Sequence, residues 1–187
     1  KLQDFIPHRR MNRTQPLLMV ITTLIVSMVL LSGCAVPRMN VSRTPGALPQ
    51  VVRTVALMPS GGVLADAVGI ELLNFGLDVV DTATVTSLMA RFNLTEVELA
   101  HPQNIRKLAD EGIDTILLVK SVAGYDDRPE SASVRLVSTA TGRLIIGATW
   151  QNGKGGAKGS AADGVMRVNL SGVARKIAKG IGRELRK

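Results

Sequence analysis

The residues able to do chemistry are few in this chain and widely spaced. One cysteine, Cys34, and two histidines, His8 and His101, are present among 187 residues. A lone thiol forms no internal disulfide and belongs to no cluster that would hold zinc or an iron-sulfur centre, so neither metal nor cofactor is expected. His101 precedes Pro102 at a helix start, which leaves a histidine-based mechanism without support. Asp126 and Asp127 in YDDRPE are adjacent, so their carboxylates project differently, and with no third ligand they read as a polar turn. The stretch GKGGAKGS from Gly153 to Ser160 offers glycines and lysines to a phosphate, yet the Walker A spacing is absent and a mobile loop is expected. No serine lies in a G-x-S-x-G elbow. The pattern is that of a protein without catalytic activity.

Cys34 gains meaning from what precedes it. Leu17 to Leu31, LLMVITTLIVSMVLL, carries no charge and follows MNRTQP with Arg13, the basic and apolar regions of a secretory signal peptide with Met11 as its start. The ten residues before Met11, which include His8, then lie upstream of that start. The apolar run is shorter than the roughly 20 residues that span a bilayer as a helix. LSGC, Leu31 to Cys34, resembles the bacterial lipobox, in which cleavage precedes the cysteine and its sulfur receives a diacylglycerol. Several acyl chains, palmitate among them, would anchor the mature protein stably without spanning the membrane. Ala35 after the cysteine resembles the residue found in lipoproteins sorted to the outer membrane. Residues 1–33 are therefore expected to be a leader, 34–51 a lipidated flexible tether with three prolines, and 52–187 the folded domain.

The domain must be built from aliphatic residues, because it holds only a few aromatics while 45% of the chain is apolar. TVALMP reads as a buried strand, and GVLADAVGIELLNFG as a helix with Val63, Leu64, Ala67, Val68, Leu72 and Phe75 on its inner stripe. LDVVD follows as a second strand, making a right-handed parallel crossover. Helices are expected in TATVTSLMARFNL, capped at Asp81 or Thr82, and in HPQNIRKLADEG. IDTILLVKSVAG is the most apolar strand and should be central, and SASVRLVSTATGRLIIGATWQN should form a hairpin. One amphipathic helix from Asp163 to the end completes an α/β (α+β) fold: a single mixed β-sheet flanked by helices in the order β-α-β-α-α-β-β-β-α.

Charge is uneven. The formal net charge is +8, and the stretch from Asp163 onward holds seven cations against Asp163 and Glu184. Arg175, Lys176, Lys179 and Arg183 on this helix either meet an anionic membrane, an acidic polymer or an acidic partner, or form a solvated face whose cations suit the helix dipole. Nucleic acid is not expected, since aromatic residues do not interleave with the cations. Trp150, at the end of an apolar strand, either meets a membrane interface or a partner, or lies buried under the last helix.

In their order, TVALMP, LADAVGIELLNFGLDVVDTATVTSLMARFNL, IRKLADEGIDTILLVKSV and VRLVSTATGRLIIGATW resemble the CsgG-like lipoprotein superfamily. That group includes the lipoproteins PelC and LpoB, and its fold is similar to the TolB N-terminal domain. The chain is too short between its strands for the long hairpins with which CsgG-type members build a barrel, and Asp81 and Thr82 stand where the family usually has Glu-Arg. The resemblance implies a lipoprotein of the outer membrane facing the periplasm. It would act as a homo-oligomeric accessory in the secretion of polysaccharide or protein, with an envelope-assembly protein as partner. The alternative it implies is an activator of a peptidoglycan synthase.

Overall fold

The computed structural model describes residues 34–46, 51–99 and 101–187. The leader 1–33, the Cys34 side chain and tether residues 47–50 lie outside the described residues. Residues Ala35–Lys187 form one compact unit around a six-stranded mixed sheet.

The parallel part of the sheet comes first in the energetics because it is apolar on both faces. Strand β2 (Thr54–Leu57) leads through a 3-10 turn at Pro59–Gly61 into α1 (Gly62–Leu73), and β3 (Asp78–Val80) returns parallel to β2. Helices α2 (Thr82–Phe92), α3 (Glu96–Leu99) and α4 (Pro102–Asp110) follow. Strand β4 (Thr115–Ala123) then enters on the other side of β2, also parallel to it. Asp81 caps α2 by accepting the Thr84 N–H at 2.7 Å, and Asn93 ends the helix in the left-handed region. Strands β5 (Pro129–Ser138) and β6 (Leu144–Gln151) continue from β4 as an antiparallel meander.

A further strand, β1 (Arg38–Arg43), pairs antiparallel with β6 and forms the sheet edge, giving the order β1-β6-β5-β4-β2-β3. Of the flexible tether expected over 34–51, Arg38–Arg43 is corrected to a strand: Met39 and Val41 alternate inward with Arg38, Asn40 and Ser42 outward, the period of a half-buried strand. The three prolines that mark this stretch as linker, Pro37, Pro45 and Pro49, lie outside Arg38–Arg43 in the sequence.

The single C-terminal helix is also corrected. It is two, α5 (Ala161–Met166) and α6 (Leu170–Leu185), separated at Arg167, which is extended. Buried Asn152 holds the break. Its amide oxygen accepts the Val168 N–H at 2.8 Å, and its amide nitrogen donates to the Val168 carbonyl at 3.1 Å. Asn169 then caps α6 by accepting the Gly172 N–H at 3.0 Å.

Two cores lie on opposite sheet faces. Val55, Leu57, Leu117 and Val119 meet α1 and α6 in one, while Ala56, Ile116 and Leu118 meet α2 and α4 in the other. Within α1 the buried residues are Leu64, Ala65, Val68, Gly69 and Leu72; Val63, expected inside, faces out. The glycines of α6 have a packing reason. A Cβ on Gly182 would stand 2.6 Å from Cδ1 of the Phe75 ring, so only glycine lets the two approach. Gly182→Ala gains about 1 kcal/mol of helix propensity but overpacks this contact by about 1–3 kcal/mol. A lower denaturation midpoint is expected, and Phe75→Leu in the same chain should recover most of it.

Candidate functional site

The densest polar chemistry sits where the β4–β5 turn, the loop 152–160 and α5 meet. Arg167 is central, its side chain 2% exposed. Its Nε and one terminal nitrogen donate to both oxygens of Asp126 at 2.9 Å, and the other donates to Glu130 at 2.6 Å. This fork-on-fork geometry suits a guanidinium and fixes the hairpin turn to the helix break. Arg128 adds bonds to the carbonyls of Gly164 at 2.9 Å and Arg167 at 3.0 Å. Buried Asp163 accepts the Tyr125 hydroxyl and the Gly155 N–H at 3.1 Å. Arg167 and Lys158 both stand over the Tyr125 ring, at 4.9 and 4.7 Å from its centre.

These contacts shift the acids in predictable directions. The bond from Arg167 holds the Asp126 carboxyl below its ordinary value, and the bond from Tyr125 does the same for Asp163. Tyr125 in turn is raised, because ionising it would lose the hydrogen bond it donates to Asp163. The cluster lines an open cleft of about 360 Å³ with Lys154 and Lys158 at its rim. Its central groups are paired with one another, so it works as a clasp that orders the glycine-rich loop, and Gly155 approaches α5 too closely for any Cβ. Residue types alone did not reveal the clasp: Tyr125, Asp126 and Glu130 stand close in sequence, but their partners Asp163 and Arg167 are some forty residues on. Asp127, beside Asp126, turns away with positive φ and is exposed.

A second surface is the half of the sheet that α2–α4 leave bare. Three cross-strand rows lie there: Leu118, Arg135, Gly147 and Ser42; Lys120, Ser133, Thr149 and Asn40; Val122, Ser131, Gln151 and Arg38. Arg38, Lys120 and Arg135 give it three exposed cations. At its upper margin Val97, Leu118, Ile116 and Met58 form an apolar groove of about 500 Å³.

The contact residues expected from sequence separate. Trp150 is withdrawn from contact: it is 3% exposed, sits between Ala132 and Met39 on the α6 side of the sheet, and leaves its indole N–H without a partner. Its neighbours on both strands point the same way, so period two alone decides its burial. Arg175, Lys176, Lys179 and Arg183 are exposed on α6, with Arg175 bonded to Glu71 at 3.4 Å. His101 stands at the start of α4 as expected, with Pro102 opening the helix.

No protein-family model matches the chain, and no curated protein matches it. Among solved structures, two crystal forms of the PelC dodecamer from Paraburkholderia phytofirmans are similar at 16% identity and TM-score 0.46, over 80% of this chain and 96–100% of theirs. Lipoprotein GNA1162 from Neisseria meningitidis is similar at 20% identity and TM-score 0.43, over 67% of this chain and 96% of its own. These likenesses are partial.

The clasp has a defined pH window. Carboxyls held low contribute stability above about pH 4 and lose it as pH falls through their folded values, whereas a raised tyrosine contributes below about pH 10 and loses it above. The thermal midpoint should therefore fall on both sides of this window, and Tyr125→Phe should remove part of the alkaline fall. Arg167→Met strands two carboxylates that are mostly buried, Asp126 and Glu130, and should cost about 2 kcal/mol in a denaturant titration.

Proposed function

We propose that this chain is a lipid-anchored envelope protein, held in the outer membrane by acyl chains on Cys34 with its domain in the periplasm. It serves as a non-catalytic, homo-oligomeric accessory of an export or envelope-assembly system. The observation that carries the reading is the placement of LSGC. It follows an uncharged apolar run and stands directly before the compact unit that begins at Ala35. A cysteine at the border between leader and domain is where a lipid would be attached without entering the core. The self-paired clasp supports a non-catalytic role, since Arg167, Asp126, Glu130, Tyr125 and Asp163 spend their bonds on one another. The bare polar half-sheet and the basic outer face of α6 supply surfaces for partners.

Export assembly is favoured over activation of a distant peptidoglycan synthase by the length of the stem. Only Ala35, Val36 and Pro37 separate Cys34 from β1, a reach of roughly 14 Å at most. A domain held that close works at the membrane it is anchored to. In cells fed labelled palmitate, the protein should take up label and sediment with outer membranes, and Cys34→Ala should lose both properties. Unchanged labelling or fractionation in the variant overturns the anchor, and a detergent-extracted protein with the mass of a single chain overturns the oligomer.

A further inference from the structure

Helix α1 is apolar on the side that faces the solvent as well as on the side that faces the core. Val63, Ile70 and Leu73 are 69%, 66% and 54% exposed, although Leu64, Val68 and Leu72 already fill the helix's place in the core. A surface helix ordinarily turns polar residues outward, and one that is apolar all round is a buried helix. The outer stripe carries Asp66, exposed, and no cation; the whole of α1 contains no lysine or arginine. It is a ridge about 15 Å long from Val63 to Leu73 at the helical rise, apolar with a negative charge.

The opposite sheet face holds its complement. The groove beside α3 has Ile116 and Leu118 as its floor and Val97, 77% exposed, as its wall, with Lys120 and Arg135 at the rim. Glu96, also at the rim, accepts bonds from the Ser60 hydroxyl and N–H, and against its single negative charge Lys120 and Arg135 leave the rim with one net positive charge. Ridge and groove thus match in apolar character and oppose in sign. Because Leu118 and the α1 core residues lie on different faces of the sheet, a chain cannot seat its own Ile70 and Leu73 in its own groove.

We propose that copies of this chain join head to tail, with the outer stripe of α1 from one copy seated in the Val97–Leu118 groove of the next and Asp66 facing the Lys120 and Arg135 rim. This inference rests on the homo-oligomer reading and names the surfaces that build it. A contact between two different patches is heterologous, so it repeats around a closed ring or along a filament. It removes the exposed apolar stripe from water, and like-signed juxtapositions discourage the reverse pairing of groove on groove.

The test uses the full chain extracted from membranes in detergent. Native mass is compared for the unaltered protein and for Ile70→Glu, with circular dichroism as a check of folding, which a substitution at an exposed position should leave intact. The expected result is an assembly that Ile70→Glu reduces to single chains. In parallel, Ile70→Cys and Val97→Cys are combined in one chain and oxidised. A ladder of linked multiples is expected from the double variant and at least tenfold less from either single one. If the unaltered protein is a single chain, the oligomer reading falls and this inference with it. If it assembles but Ile70→Glu leaves the mass unchanged and no ladder forms, the oligomer stands and this interface is overturned. A linked dimer from Ile70→Cys alone shows a symmetric contact and also overturns the head-to-tail arrangement.

Discussion

Two neighbouring strands, β2 and β4, send apolar side chains to both faces of the sheet, and the remaining architecture follows from having to cover them twice. Val55, Leu57, Leu117 and Val119 need one layer, and Ala56, Ile116 and Leu118 need another. The chain supplies the first layer from the two longest helices among the described residues, α1 and α6, which come from opposite ends of the domain. The second layer comes from the consecutive helices α2 to α4, and it is short. It reaches the parallel strands and the first half of β4, then stops, so β5, β6 and β1 turn polar residues outward on that side. The bare half-sheet and the groove at its margin are thus the same fact seen twice: helical cover ends before the sheet does.

Much of this was legible in the sequence. The parallel crossover, the Asp81 cap, the central place of IDTILLVKSVAG and the meander after it are all local patterns of period and capping, and the structure has them. What escaped depends on contacts distant in the chain. Arg38–Arg43 alternates like a strand, but its partner β6 lies more than a hundred residues away and prolines on either side suggest a linker. The helix break at Arg167 is set by Asn152 and by the bonds of Arg167 itself, neither of which disturbs the apolar spacing that made the segment look continuous. Trp150 was open to two interpretations from residue type, and strand parity settles its burial. The sequence also places Val63 in the inner stripe of α1, because a helix apolar on every side offers no contrast by which to choose its inner face.

The candidate contact surfaces were less legible than the fold for a related reason. The basic residues of α6 were visible as a cluster in one segment, and they are exposed together. Arg38, Lys120 and Arg135 come from three strands and become neighbours only through register, so no stretch of sequence announces them. The clasp is of the same kind, joining a turn near residue 126 to a helix near 165.

The three residues before β1 have a consequence for how copies would meet. On a long linker a domain tumbles, and each encounter must find both position and orientation. On a stem of three residues, with the proposed lipid on Cys34, the sheet would keep nearly one end toward the bilayer, and neighbouring copies would differ mainly by rotation about the membrane normal. The search would then be confined to a plane, and the proposed anchor would already have removed much of the entropy that association costs. A weak lateral contact can assemble in that setting though it would fail in free solution.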